Sequence, residues 1–311
     1  MDQREALLMN FPANIRKLFS GINENDFKDI TEIRLRTGKP LLIIYRGEEV
    51  YINKNGDLSI SGKGSYITEQ EDVENTVVLI SNYSPYAFDE DIKRGFITIS
   101  GGHRAGLSGK VVTEGGKIKT ISQINGICLR LSHEIKGCAD EAIKYILNKG
   151  QVLHTMIISP PGCGKTTLLR DIIRQISDDA GKNVSVIDER SEIAGCYMGI
   201  PQRDIGQRTD VMDACPKALG MLMVLRSLAP DVIAVDEIGS KDDIFAIGEI
   251  LNAGIKLIAT VHGKDITDVS KKPYLSELVK TGAFERYIVL SKNKGFGTIE
   301  EIYDGALREL K

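Results

Sequence analysis

Thr155, Met156, Ile157 and Ile158 form a short, mostly apolar run, and beyond the next glycine-rich stretch Leu168, Leu169, Ile172, Ile173 and Ile176 recur at helical spacing. This pattern predicts an interior strand, a loop and an amphipathic helix, in that order. Val184-Ser-Val-Ile, Val232-Ile-Ala-Val and Leu257-Ile-Ala-Thr-Val repeat the apolar run, and each breaks into polar residues at its carboxyl end. Such runs suit strands buried on both faces of a parallel, doubly wound sheet.

The amino-terminal half has a different rhythm. Leu7, Leu8, Phe11, Ile15, Leu18 and Phe19 keep helical spacing across Pro12, which predicts a helix over 4–19. Apolar and charged residues alternate over 31–36, Gly38-Lys-Pro turns the chain, and 41–45 continues as a more buried strand, so a hairpin is expected. A helix over 69–81 follows, then strands over 96–100, 104–112 and 118–121 separated by glycine pairs. These elements describe an α+β domain over residues 1–137. Asp140 is placed to cap a helix over 141–148 that leads into a nucleotide domain over 138–311.

A chain of 311 residues suits two domains. Its formal net charge of −3 provides no overall basic field, so nonspecific nucleic-acid binding is not expected. No apolar run approaches the roughly 20 residues that span a bilayer, and the opening Met-Asp-Gln-Arg-Glu lacks the form of a signal peptide. A cytoplasmic protein is expected. The five cysteines include no Cys-x-x-Cys pair and argue against a disulfide framework or zinc knuckle.

Candidate chemistry lies where the apolar runs end. Ser159-Pro-Pro-Gly-Cys-Gly-Lys165-Thr166-Thr167 joins the first strand to its helix, the context that a phosphate cradle requires. Backbone N–H groups of Pro161-Gly162-Cys163-Gly164 and of the helix start, Lys165 to Thr167, would hold phosphates, proline contributing shape rather than a donor. Lys165 adds a full charge, and the Thr166 hydroxyl is placed for Mg²⁺. Ser159 stands where the pattern has its first glycine, at a cost of about 1–2 kcal/mol if that position is left-handed. Asp236 and Glu237, ending the third run, would hold Mg²⁺ through water and polarise the attacking water. Asp188, Glu189, Thr260 and His262 end the other strands and are candidates to sense the γ-phosphate or position water. His262 could equally be a loop histidine satisfied by backbone. Between these strands, 199–211 reads as a polar surface loop. Arg203 and Arg208 are either arginine fingers inserted into a neighbouring subunit's site or partners of Asp204 and Asp210 in a solvated loop. Ser100-Gly-Gly-His-Arg104 reads as a strand turn.

The phosphate-loop run, Val-Ile-Asp-Glu-Arg190, the stretch 199–213 with Cys215-Pro-Lys, Val-Asp-Glu-Ile-Gly239 and Thr-Val-His-Gly263 together resemble the stage III sporulation protein AA family. Glu32-Ile-Arg-Leu-Arg-Thr-Gly-Lys-Pro, the run 94–107 and Leu129-Arg130 extend the resemblance over nearly the whole chain. That family is similar to the hexameric ATPases of type II and type IV secretion and pilus assembly. The resemblance implies a RecA-like P-loop nucleotide-binding core with a smaller α+β amino-terminal domain. It also implies an ATP- and Mg²⁺-dependent ATPase of the mother cell, assembled as a homo-oligomer, expected to be a hexamer. The protein would be held at the septal or forespore membrane by membrane-bound sporulation channel proteins. Within it Lys165 and Thr166 match the Walker A residues, Asp236 and Glu237 the Walker B pair, Glu189 the acidic box and His262 the histidine box. The tetracysteine zinc element of many type II secretion ATPases is absent.

Two other functions fit parts of the sequence. A RecA-like nucleic-acid motor would use the basic residues Lys264, Lys271, Lys272, Lys280, Arg286, Lys292 and Lys294, which otherwise form a solvated face. A GTP switch would use Asp236-Glu-Ile-Gly239, but Asn293-Lys-Gly-Phe lacks the aspartate that grips guanine.

Overall fold

Pro12 decides how the chain begins. With φ of −64° and no N–H, it stops a continuous helix and serves as the N-cap of the next one. The segment expected as one helix over 4–19 is therefore two, α1 (Gln3–Leu8) and α2 (Ala13–Leu18), yet Leu7, Phe11, Ile15, Leu18 and Phe19 are all buried as their spacing indicated. The computed structural model describes residues 3–84, 88–132, 134–293, 295 and 297–311. They divide into two compact units, Met1–His133 and Glu134–Lys311, where the sequence boundary was expected after residue 137.

In the first unit, α3 (Glu24–Lys28) leads into the expected hairpin of β1 (Ile30–Arg36) and β2 (Leu42–Tyr45). β3 (Glu48–Ile52), β4 (Leu58–Ser59), α4 (Gln70–Ile80), α5 (Asp89–Arg94), β5 (Phe96–Ile99), β6 (His103–Glu114) and β7 (Lys117–Arg130) follow. The strands form one antiparallel sheet in the order β4-β3-β2-β1-β7-β6-β5. Ile33, Leu35, Ile43, Ile97, Ile127 and Leu129 belong to one apolar core with Phe11, Phe19, Val73 and Ile80. Gly101 and Gly102, both left-handed, turn β5 into β6. β7 runs well past the expected 118–121, because its second half pairs with β1 as well as with β6.

The second unit opens with α6 (Ile143–Ile146), half the length expected, since β8 (Leu147–Asn148) turns through left-handed Lys149 and Gly150 into β9 (Gln151–Val152). Asp140 does not cap this helix; its carboxylate accepts from Gln175 at 2.8 Å. Then come β10 (Thr155–Ser159), α7 (Lys165–Asp178), β11 (Val184–Asp188), β12 (Thr209–Asp213), α8 (Lys217–Ser227), β13 (Val232–Val235), α9 (Lys241–Asn252) and β14 (Lys256–His262). α10 (Ile266–Val269), α11 (Leu275–Lys280), β15 (Arg286–Ser291) and β16 (Thr298–Asp304) complete it. The sheet order is β12-β11-β13-β14-β10-β15-β16, parallel except for β16.

Successive β10 residues serve opposite faces: Ile157 packs with Leu169 and Ile173 of α7, and Met156 and Ile158 with Met221 and Ile247 of α8 and α9. Helices on both faces explain the uniformly buried strands. Because the strands are parallel, the carboxyl ends of β11, β13, β14 and β10 lie side by side on one edge, where such sheets bind ligands.

Candidate functional site

β10 ends at Ser159 and α7 starts at Lys165, leaving 160–164 as the loop between them. Gly162 and Gly164 take left-handed φ values of 67° and 86°, which a β-carbon would oppose. Ser159 does not: it keeps extended strand geometry, is fully buried and donates its hydroxyl to Pro160 O at 2.8 Å. Serine in place of the usual glycine therefore carries no left-handed strain. The Cys163 side chain packs in the apolar core, so it faces the loop's interior and only its backbone is available to a ligand. Gly297 donates to Cys163 O at 2.9 Å, and a β-carbon on Gly162 would lie 3.3 Å from Lys292 Nζ, so the connection after β15 borders the loop.

Lys165 is only 7 % exposed, and its Nζ lies 2.9 Å from Glu237 Oε1 and 3.2 Å from Asp236 Oδ1. Beside it the Thr166 hydroxyl donates to Asp236 Oδ2 at 3.1 Å. This juxtaposed hydroxyl and carboxylate are hard oxygen donors that fit Mg²⁺. Among the described residues no cluster of three or more acidic, His or Cys side chains could hold a metal alone. Thr260 on β14 locks the acidic pair from the other side: its hydroxyl donates to Asp236 Oδ1 and accepts the N–H of Glu237 at 2.9 Å.

Glu237 itself is held in a left-handed conformation, φ 53°, strain that a non-glycine residue bears only where its surroundings fix it. His262 Nε2 lies 2.9 Å from Oε1 and Arg190 Nη1 3.0 Å from Oε2. Burial acts to raise the Glu237 carboxyl, but Lys165, His262 and Arg190 outweigh it and hold it below its ordinary value.

Asp188, a candidate to sense the γ-phosphate, turns its carboxylate into its own loop instead of the open edge. Its buried carboxylate accepts the N–H groups of Glu192, Ile193 and Ala194 at 2.8, 2.9 and 2.9 Å. Arg170, buried on α7, grips the same loop from its carbonyl side, donating to Ile193 O at 2.6 Å and Glu192 O at 2.8 Å. Burial pushes the Asp188 carboxyl up to about 6 despite the three N–H bonds, with Asp213 adding to the rise. Glu189 pairs with Lys217 at 2.5 Å at the start of α8. Arg170, Arg190 and Lys217 drew no role from sequence reasoning; Arg170 and Asp171 fall on the polar face that the amphipathic pattern of α7 already allows.

The loop 199–208 is less solvated than its composition suggested, since Ile205 is buried and Arg203 half-buried. Burial first, then the Arg170 charge, lowers the Arg203 guanidinium to about 10. Asp204 pairs with Lys136 at 2.5 Å rather than with an arginine. Arg208 is exposed, its backbone N–H anchored to Ser177 Oγ at 2.8 Å. A cleft of about 720 Å³ lined by Glu189, Lys217, Glu237, Ser240 and Phe245 opens beside the acidic pair. Of the basic residues near the carboxyl end, Arg286 donates to Tyr145 O and Lys272 pairs with Asp268, while Lys294 and Phe296 lie outside the described residues. No helix of the described residues is long and apolar enough to cross a membrane.

The model of a family described as "Sporulation stage III, protein AA" matches residues 1–309. Stage III sporulation protein AA of Bacillus subtilis is 43% identical over 298 residues, covering 94% of this chain and 92% of that protein. Among solved structures the chain is similar to the Legionella pneumophila ATPase DotB, with a TM-score of 0.55 at 18% identity, over 85% of this chain and 72% of that one. It is also similar to the pilus retraction motor PilT with bound ADP, with a TM-score of 0.56 at 16% identity, over 86% and 76% respectively. At such identities the structural likeness speaks to fold: a RecA-like core preceded by a smaller domain.

Proposed function

The chain belongs to the sporulation stage III protein AA family, and on that premise we propose that it is a Mg²⁺-dependent ATPase that energises a secretion-like channel complex between mother cell and forespore. The observation that carries this reading is the meeting of Lys165 and Thr166 with Asp236 and Glu237 across the end of the sheet. In it the loop amides and Lys165 bind the β- and γ-phosphates of ATP. Thr166 and Asp236 hold Mg²⁺, which when bound neutralises charge on the phosphoryl oxygens. Glu237, whose carboxyl is held below its ordinary value before nucleotide enters, orients and deprotonates the water that attacks in line. Glu189 and His262 position Glu237 and that water. Arg203 or Arg208 arrives from the neighbouring subunit of a homo-oligomer, a hexamer in this reading, so each site is shared. With no membrane-crossing helix among the described residues, attachment to the membrane would run through channel proteins.

The test is particle mass and phosphate release with and without Mg-ATP, for the wild type and Glu237→Gln. Hydrolysis by the wild type and a ring trapped by the variant are expected. A wild type that neither binds nor hydrolyses ATP would sink the proposal.

A further inference from the structure

The Glu237 carboxylate bridges two cations, Lys165 Nζ on Oε1 and Arg190 Nη1 on Oε2. A terminal phosphate, an anion with three free oxygens, can bridge the same pair in its place. We propose that Arg190 contacts the γ-phosphate within its own subunit and discriminates nucleoside triphosphate from diphosphate. This inference rests on the nucleotide site described above.

The loop that carries Arg190 is built to aim it. Asp188 holds three of the following N–H groups and Arg170 two of the following carbonyls, so the turn is fixed on both its donor and its acceptor sides. Ser191 takes a left-handed φ of 53°, and its hydroxyl donates to Asp213 at 2.6 Å, which closes the turn immediately after Arg190. β11 pairs directly with β13, Ile187 beside Val235, so the residues following these strands emerge together at the carboxyl edge. The Arg190 side chain itself is 62 % exposed and can change partner without disturbing the core.

The exchange has a consequence for Glu237. A small cavity of about 10 Å³ is lined by Asp188, Glu189, Arg190, Glu192, Lys217, Asp236 and Glu237, roughly the space of one water with several polar partners. When a γ-phosphate takes Lys165 and Arg190, the Glu237 carboxylate is released toward this space, where it can accept a hydrogen bond from water. A diphosphate has no γ-oxygen to offer, and the Arg190 to Glu237 bridge stays closed. Glu189, held by Lys217, lines the opposite wall.

The experiment is equilibrium displacement of a fluorescent ADP by ADP and by ATPγS, both with Mg²⁺, for the wild type, Arg190→Ala, Arg190→Lys and Lys165→Ala. The wild type should prefer ATPγS by about tenfold, the worth of one charge-assisted hydrogen bond. Arg190→Ala should bring that ratio to about one with ADP affinity within about twofold of wild type, and Arg190→Lys should restore part of it. An unchanged ratio in Arg190→Ala, or no preference in the wild type, overturns the inference while leaving the nucleotide site standing. Lys165→Ala should weaken both nucleotides; if it weakens neither, the nucleotide site is misplaced and this inference falls with it.

Discussion

The Thr260 hydroxyl accepts the N–H of Glu237 at 2.9 Å and donates to the carboxylate of Asp236, so one side chain on β14 fixes both acids at the end of β13. Thr260→Val keeps the shape and removes both bonds, leaving the Glu237 N–H without its acceptor and Asp236 Oδ1 with Lys165 alone. The change should cost about 1–3 kcal/mol in urea unfolding, with Thr260→Ser nearer the wild type. Equal stability of all three would show that the threonine does not hold the pair.

Lys165 donates to Glu237 at 2.9 Å, so in the proposed site that carboxylate would compete with a phosphate for the same ammonium. Glu237→Gln removes the competing charge and the base together. Triphosphate affinity should rise about tenfold while hydrolysis falls by roughly 10²–10⁴. Direct binding and phosphate-release assays check the two halves, and weaker binding by the variant would contradict the competition.

Arg203 and Arg208 should separate in their effects. Arg203 is half-buried beside Arg170, so Arg203→Ala should lower stability by about 1–3 kcal/mol. Arg208 is exposed, and Arg208→Ala should leave unfolding within about 0.5 kcal/mol of the wild type while reducing hydrolysis by the assembled protein. If it is the finger, mixing Arg208→Ala with Lys165→Ala subunits should restore part of the rate, because some shared sites then draw both intact residues. No recovery on mixing argues against Arg208 as the finger.

The buried Asp188 should leave a signature of acid stabilisation. Its carboxyl rises from 3.8 to about 6 on folding, so between those values the folded state binds a proton that the unfolded chain has lost. This group's contribution is therefore greatest near pH 4 and declines as pH rises through about 6, by an amount on the order of 3 kcal/mol. Glu237, lowered on folding, has the opposite sign: it stabilises above its unfolded value and that gain is lost on acidification. Asp188→Asn should flatten the first trend relative to the wild type across pH 4 to 7, measured as the difference in unfolding free energies. An unaltered pH profile would place the titration elsewhere.

Much of the core was legible from local pattern. The phosphate loop, the acidic pair and the helix after Gly164 are each written in contiguous residues, where apolar periodicity marks strand and helix and the glycines mark the turn. Pro12 is equally plain in the sequence, yet the apolar stripe runs straight across it, and the backbone follows the proline's missing N–H and not the stripe. The helix expected over 141–148 failed for a related reason: its apolar spacing continues into a two-stranded hairpin whose turn, Lys149-Gly150, lies beyond it.

By itself the sequence determined the buried parallel strands around the phosphate loop, the family and the residues at those strands' ends, because these follow from neighbours along the chain. Only the tertiary structure decided how those residues are used. Lys165 and Glu237 stand 72 positions apart and meet because β13 and β14 lie between β11 and β10. Asp188 became a clamp on its own loop, Ser159 an unstrained strand residue, and Arg190 a neighbour of Glu237. Periodicity reports which face of an element is buried; it does not report which buried donor and acceptor will find each other, and that pairing carries the chemistry.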